Sequence, residues 1–299
     1  MIRQFDLSLP HGVSLACRAA GAGRPRALLL HGFPEAAFVW DEVMLQLAPA
    51  DAPQLACVAP NLRGYPGSSA PTEVAAYRAK TLVADIVATI EALAGAPGTP
   101  LDLLVAHDWG GALAWNLAAL RPDLIKQLLI INSPHPATFL RELRHSPAQQ
   151  AASAYMNFLC RPDAQALLAE NGFARLWPFL GQGHATPAWL SPALRAQYEA
   201  TWRQGLSGPI NYYRASPLRP PAGPADPVHT LVLPDEAVHV HVPTTVLWGE
   251  RDAALLPGLL QGLEHWVPGV QVLRVPDASH WIVHERPDLV VAQIRRLLG

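Results

Sequence analysis

Four short apolar runs recur along the chain: Ala27–Leu30, Leu103–Ala106, Leu128–Ile131 and Thr245–Trp248. Each is too short for an ordinary helix and none alternates with polar residues, which is how strands buried on both faces of a parallel sheet read. Leu55–Ala59 before Pro60 and Val270–Val275 add two strand candidates. Phe5–Leu9 and Val13–Arg18, joined by Pro10-His11-Gly12, read as a hairpin. Between and after these runs lie Phe38–Leu47, Leu82–Leu93, Leu113–Leu120 and Leu289–Leu298, with apolar residues three and four apart. That spacing predicts helices with one buried face. Asp41-Glu42 near the start of the first, and Arg295-Arg296 near the end of the last, suit the helix dipole. Alternating strand and helix predict a right-handed, doubly wound α/β sheet.

The alternation stops after Ile131. From about Ser133 to Pro217 there is helical periodicity and no convincing strand. A proline-rich return, Pro217-Leu-Arg-Pro-Pro-Ala-Gly-Pro, precedes strand character that resumes near Val242. A helical insertion in an α/β core is the simplest account. The expected division is a core of residues 1–133 and 239–299 with a helical cap, including the return, at 134–238.

Composition narrows the function classes. With 299 residues and half of them apolar, the chain can bury a large core. The formal net charge is −2 and basic residues are scattered, so neither a nucleic-acid surface nor a membrane-binding basic patch is expected. Cys17, Cys57 and Cys160 are an odd number in no metal-like spacing, which points to a reducing compartment. The N-terminus lacks the apolar core of a signal peptide. No apolar run approaches the roughly 20 residues that span a bilayer. A cytoplasmic protein is expected; its oligomeric state is not legible.

The chemistry starts at Ala106-His107-Asp108-Trp109-Gly110-Gly111, between an apolar run and a helical segment. Small residues at 106 and 110 let a strand turn sharply into a helix and expose the central side chain. Asp108 could equally cap the helix, where Asp is favoured. Alone, the turn does not decide between the two. His31-Gly32-Phe33-Pro34-Glu35 follows an earlier strand and can aim the Phe33 N–H at the same place. With the Trp109 N–H it would form an oxyanion hole. Later come Asp252, in Gly249-Glu250-Arg251-Asp252, and His280, in Asp277-Ala278-Ser279-His280-Trp281. Glu250 and His284 are their local competitors. No metal or organic cofactor is called for, and no ligand cluster for one is visible.

Together, His31-Gly-Phe-Pro-Glu, Asn61-Leu-Arg-Gly-Tyr, His107-Asp-Trp-Gly-Gly, Asn132-Ser-Pro-His-Pro, Gly249-Glu-Arg-Asp and His280-Trp resemble the epoxide hydrolases of α/β-hydrolase fold. The resemblance runs from about residue 5 to the C-terminus. It implies a doubly wound, mostly parallel eight-stranded sheet with an inserted helical cap. It also favours Asp252 and His280 over Glu250 and His284. In that family two cap tyrosines face the aspartate. Ser153-Ala-Tyr155-Met-Asn-Phe158-Leu-Cys-Arg-Pro162 and Asn211-Tyr212-Tyr213-Arg214 resemble the segments that carry them, which implies Tyr155 and Tyr213. Periodicity alone does not choose between Tyr212 and Tyr213.

A carboxylate with a reference pKa of roughly 3.9 is anionic at neutral pH and can attack saturated carbon directly. The expected cycle is attack by Asp108 on a small apolar epoxide, proton donation by Tyr155 and Tyr213, and hydrolysis of the ester by water that His280 and Asp252 activate. Haloacetate and haloalkane dehalogenases share the turn. The first want arginines near the nucleophile, where this chain has Trp109, Ala112 and Leu113. The second usually want another halide donor. A non-catalytic binding protein of this fold would be expected to lose triad or oxyanion residues, and all are present. The aromatic residues Phe158, Phe173, Trp177, Phe179 and Trp189 suggest an apolar tunnel.

Overall fold

The computed structural model describes residues 1–49, 55–181 and 186–299. Its strands are β1 (Arg3–Ser8), β2 (Ser14–Ala20), β3 (Ala27–Leu30), β4 (Cys57–Pro60), β5 (Leu103–His107), β6 (Leu128–Ile131), β7 (Thr244–Gly249) and β8 (Gln271–Val275). They form one eight-stranded sheet in the order β1-β2-β4-β3-β5-β6-β7-β8. β2 is antiparallel to β1 and β4, and all other neighbours are parallel. The expected doubly wound, mostly parallel sheet is present. β3, β5, β6 and β7 are buried at every position, as their unbroken apolar runs predicted, whereas edge strand β8 is largely not.

Around the sheet lie α1 (Asp41–Leu47), α2 (Ala79–Leu93) and α3 (Asp108–Leu120). The helix predicted from Phe38 begins as a 3-10 turn, Ala37–Trp40, and becomes α-helical where Asp41 and Glu42 meet its N-terminal dipole. α3 starts earlier than its apolar spacing indicated, directly at Asp108.

Between β6 and β7 come α4 (Pro136–His145), α5 (Pro147–Ala152), α6 (Tyr155–Leu159), α7 (Ala164–Phe173), α8 (Trp177–Leu180), α9 (Pro192–Arg203) and α10 (Ser207–Ala215). No strand interrupts them among the described residues. Ser146 and Ser191 accept N–H groups of Gln149 and Leu194, capping α5 and α9 ahead of prolines in their first turns. The chain closes with α11 (Leu263–Trp266), α12 (Ile282–Glu285) and α13 (Pro287–Leu298). Among the described residues no helix is long and apolar enough to cross a membrane.

The register pairs Leu30 with Ala106, His107 with Ile131, and Ile131 with Leu247. The C-terminal ends of β3, β5, β6 and β7 therefore lie side by side, and the turns that follow them open at one edge of the sheet. In open α/β sheets that edge is where ligands bind.

Candidate active site

β5 passes into α3 at Asp108 with no intervening residue, and Asp108 sits at φ +48°. A non-glycine residue adopts this left-handed region at a cost, tolerated where the surroundings enforce it. Here they do. A Cβ on Gly110 would come 2.6 Å from the Leu30 carbonyl oxygen, and one on Gly32 would come 2.2 Å from Asp108 Oδ1. The two glycines let the β3 loop and the β5 turn touch.

That contact delivers a donor. The Phe33 N–H donates to Asp108 Oδ1 at 2.7 Å. The Trp109 N–H belongs to the first turn of α3, where no helix carbonyl is available to it. Ser133 Oγ donates to the Asp108 carbonyl at 2.7 Å. The other carboxylate oxygen, Oδ2, faces His280 Nε2 across 3.8 Å, too far for a direct hydrogen bond.

His280 Nδ1 donates to Asp252 Oδ2 at 2.6 Å. The same oxygen accepts from Asn132 Nδ2 at 2.9 Å, while Oδ1 accepts the N–H groups of Ala254 and Leu255 at 2.8 and 2.9 Å. Burial would raise the Asp252 pKa, but the charge and hydrogen bond of His280, with these donors, hold it below the usual range. Burial likewise opposes a charged His280. Attraction and hydrogen bonding by Asp252, with Asp108 and Glu35 behind, prevail and raise His280 to about 9. Glu250 instead pairs with Arg274 at 3.0 Å.

Behind His280 lies a buried polar network. His107 Nε2 donates to the His280 carbonyl at 2.9 Å, and its Nδ1 lies 3.0 Å from Glu35 Oε2. His284 Nε2 lies 3.3 Å from Glu35 Oε1, and Tyr198 of α9 bridges Glu35 and His284 at 2.9 Å each. Burial would raise Glu35, yet its histidine partners hold it far below the ordinary carboxylate range. His284 is thus tied to Glu35 and Tyr198, and His280 is the histidine beside Asp108.

Two cavities, of about 170 and 240 Å³, meet at Asp108, Tyr155 and Tyr213, which line both. His280, Asp252 and Phe179 line the smaller; the larger is mostly apolar. The Tyr155 and Tyr213 rings stand 6.0 Å apart, and Trp109 meets Tyr213 edge-on at 5.0 Å. Burial pushes both phenols above their ordinary pKa, followed by the charge of Asp108 for Tyr155 and by Tyr155 and then Asp108 for Tyr213. Tyr212 is different: its hydroxyl donates to the Arg63 carbonyl at 2.8 Å. Tyr212 also lines the larger cavity, whereas Tyr213 lines both. The expected aromatic tunnel is narrower than composition suggested. Phe179 lines a cavity, whereas Phe173 and Trp177 pack on Trp202 and Trp189 stacks on His284.

Sequence reading assigned no role to Asn132, Ser133, Glu35, His107 or Tyr198. The first four stand in the quoted motifs, so their positions were visible and their partners were not. Tyr198 stands in a helix with no motif around it. Among the described residues no group of three or more His, Cys, Asp or Glu is arranged to hold a metal ion.

A parallel sheet with a strand-to-helix turn at Asp108, then an acid and a histidine on later loops, has the architecture and residue order of an α/β-hydrolase. The chain belongs to that family: residues 25–287 match the alpha/beta hydrolase fold. An AB hydrolase superfamily protein of Bacillus subtilis, YfhM, is 32% identical over 94% of this chain and 92% of its own. Epoxide hydrolase 4 of Mus musculus is 32% identical over 91% of this chain and 72% of its own. The epoxide hydrolase of Bacillus megaterium, solved in complex with an inhibitor, superposes with a TM-score of 0.86 at 30% identity, covering 98% of this chain and 99% of that one. These likenesses group the chain with the epoxide hydrolases of the family.

Proposed function

We propose that this chain hydrolyses small, neutral, apolar epoxides to vicinal diols through an ester on Asp108. One observation carries the reading: Asp108, Tyr155 and Tyr213 line both cavities, with the His280–Asp252 pair beside them. In this account residues 134–238 are the cap and the remainder the core.

Asp108 Oδ2 attacks a ring carbon, the C–O bond breaks, and the departing oxygen takes a proton from one of the two phenols, Tyr155 or Tyr213, while the other donates a hydrogen bond; the phenolate is then reprotonated from solvent. Oδ1 stays as the ester carbonyl oxygen and keeps the Phe33 N–H. His280 then removes a proton from water, which adds to the ester carbon. The resulting oxyanion lies against the Phe33 and Trp109 N–H groups. Collapse returns the Asp108 carboxylate and releases the diol. Ring opening consumes one proton and ester hydrolysis releases one, so the cycle balances.

The timing of the base follows from charge. In the resting chain the Asp108 carboxylate helps keep a proton on His280. Esterification removes that charge, so the proton affinity of His280 falls and it releases its proton to solvent before it acts as base. The unpaired Cys17, Cys57 and Cys160 support work in a reducing compartment such as the cytoplasm.

The test is intact-mass measurement of a His280→Gln variant mixed with styrene oxide and, separately, a haloalkane. The expected result is an adduct of the full epoxide mass on the peptide that contains Asp108. An adduct from the haloalkane alone, lighter by the lost hydrogen halide, would replace this reading with dehalogenation. Tyr155→Phe combined with Tyr213→Phe should slow ring opening by about 10²–10⁴-fold; near-normal turnover would remove these phenols from the mechanism.

A further inference from the structure

α9 grips the site from above at two adjacent points. Trp202 Nε1 donates to the Pro34 carbonyl at 2.7 Å, and the Tyr198 hydroxyl donates to Glu35 Oε1 at 2.9 Å. Both groups are buried, and Tyr198 also packs edge-on against Phe38 at 5.0 Å. Pro34 and Glu35 directly follow Phe33, whose N–H lies on Asp108 Oδ1. The Glu35 N–H closes the same turn on the Gly32 carbonyl at 3.2 Å. From Glu35 the contacts continue through His107 to the backbone carbonyl of His280. One helix outside the sheet therefore holds the loop that bears the oxyanion donor and, through two further residues, the backbone of the base.

We propose that Tyr198 and Trp202 are positioning residues for the second half-reaction: they fix the 33–35 turn so that the Phe33 N–H stays on the ester carbonyl oxygen during water attack. This rests on the ester mechanism proposed above. The sign of the effect differs between the two steps. In the resting chain the Phe33 N–H already donates to a full carboxylate, and that carboxylate loses charge as it alkylates. Loosening this hydrogen bond therefore does not slow ring opening. In ester hydrolysis charge builds on the same oxygen, so a donor held rigidly in place stabilises the transition state more than the ground state. Loosening it slows this step.

Tyr198→Phe removes one hydroxyl, and Trp202→Phe removes the indole N–H. Each variant is mixed rapidly with styrene oxide, quenched, and followed by intact mass through formation and decay of the Asp108 adduct. The expected result in each is decay about tenfold slower, a fraction of the 10²–10³ lost with a whole oxyanion donor. Adduct formation should hold its rate or rise, so the ester accumulates. Unchanged decay in Tyr198→Phe, or equal slowing of both steps, would overturn the positioning role and leave the ester mechanism standing. No adduct even in His280→Gln would remove the ester mechanism and this role with it.

Discussion

Asp108 and Asp252 are the same residue type at one sheet edge, and their surroundings differ in hydrogen bonding and access. Asp252 is almost fully buried and accepts hydrogen bonds on both oxygens, from His280, Asn132, Ala254 and Leu255. A carboxylate so saturated stays ionised, holds its partner in one orientation and has little left with which to attack. Asp108 is half-buried, lines both cavities and has the Phe33 N–H on one oxygen, while the other faces His280 across 3.8 Å. In the proposed mechanism, hydrogen-bond saturation and access distinguish the nucleophile from the orienting acid, and neither belongs to the residue type.

The largest effect is expected at Asp108. Asp108→Ala should lower diol formation by roughly 10⁵-fold or more, in line with other lost nucleophiles. No adduct should form with styrene oxide, and a surviving adduct would show that another group attacks. Asp252→Asn should behave differently. Adduct formation continues while its hydrolysis slows by about 10³–10⁴-fold, because the imidazole loses its orienting charge. Equal loss of both steps would erase the distinction between the two aspartates.

A smaller effect sharpens the contrast at Asn132, which sits at φ +36° and bonds both Asp252 and Gly249. Asn132→Gly suits that backbone and removes only the side chain. Ester decay should slow by about tenfold, and urea unfolding should show a loss of about 1–3 kcal/mol from the groups left unpaired. The mildest test is pH. His280 is raised from 6.5 to about 9, so the stability it contributes is full below pH 6.5 and is lost as pH rises through 9. The wild-type Tm should fall across that window more steeply than that of His280→Gln. Parallel curves would place the raised histidine elsewhere.

Much of this was legible from residues near one another in the chain. Ala27–Leu30, Leu103–Ala106 and Leu128–Ile131 read as two-sided strands because burial on both faces leaves no polar position. The sharp turn at Asp108 was readable from Ala106 and Gly110, since crowding there tolerates little beyond small residues. Motif order and family resemblance pointed to Phe33, Asp252, His280, Tyr155 and Tyr213, and the fold brings all of them around Asp108.

Only tertiary structure decided which partner each group meets. Tyr212 and Tyr213 are adjacent in sequence, yet α10 directs one hydroxyl to the Arg63 carbonyl and places the other residue against both cavities. The local pattern makes both aromatic and cannot choose. His107 reaches a carbonyl 173 residues away, Tyr198 a carboxylate 163 residues away, and Asn132 a carboxylate 120 residues away. The physical reason is range: periodicity and turn chemistry act over a few residues, whereas hydrogen-bond saturation is set by loops that meet only when the sheet is assembled.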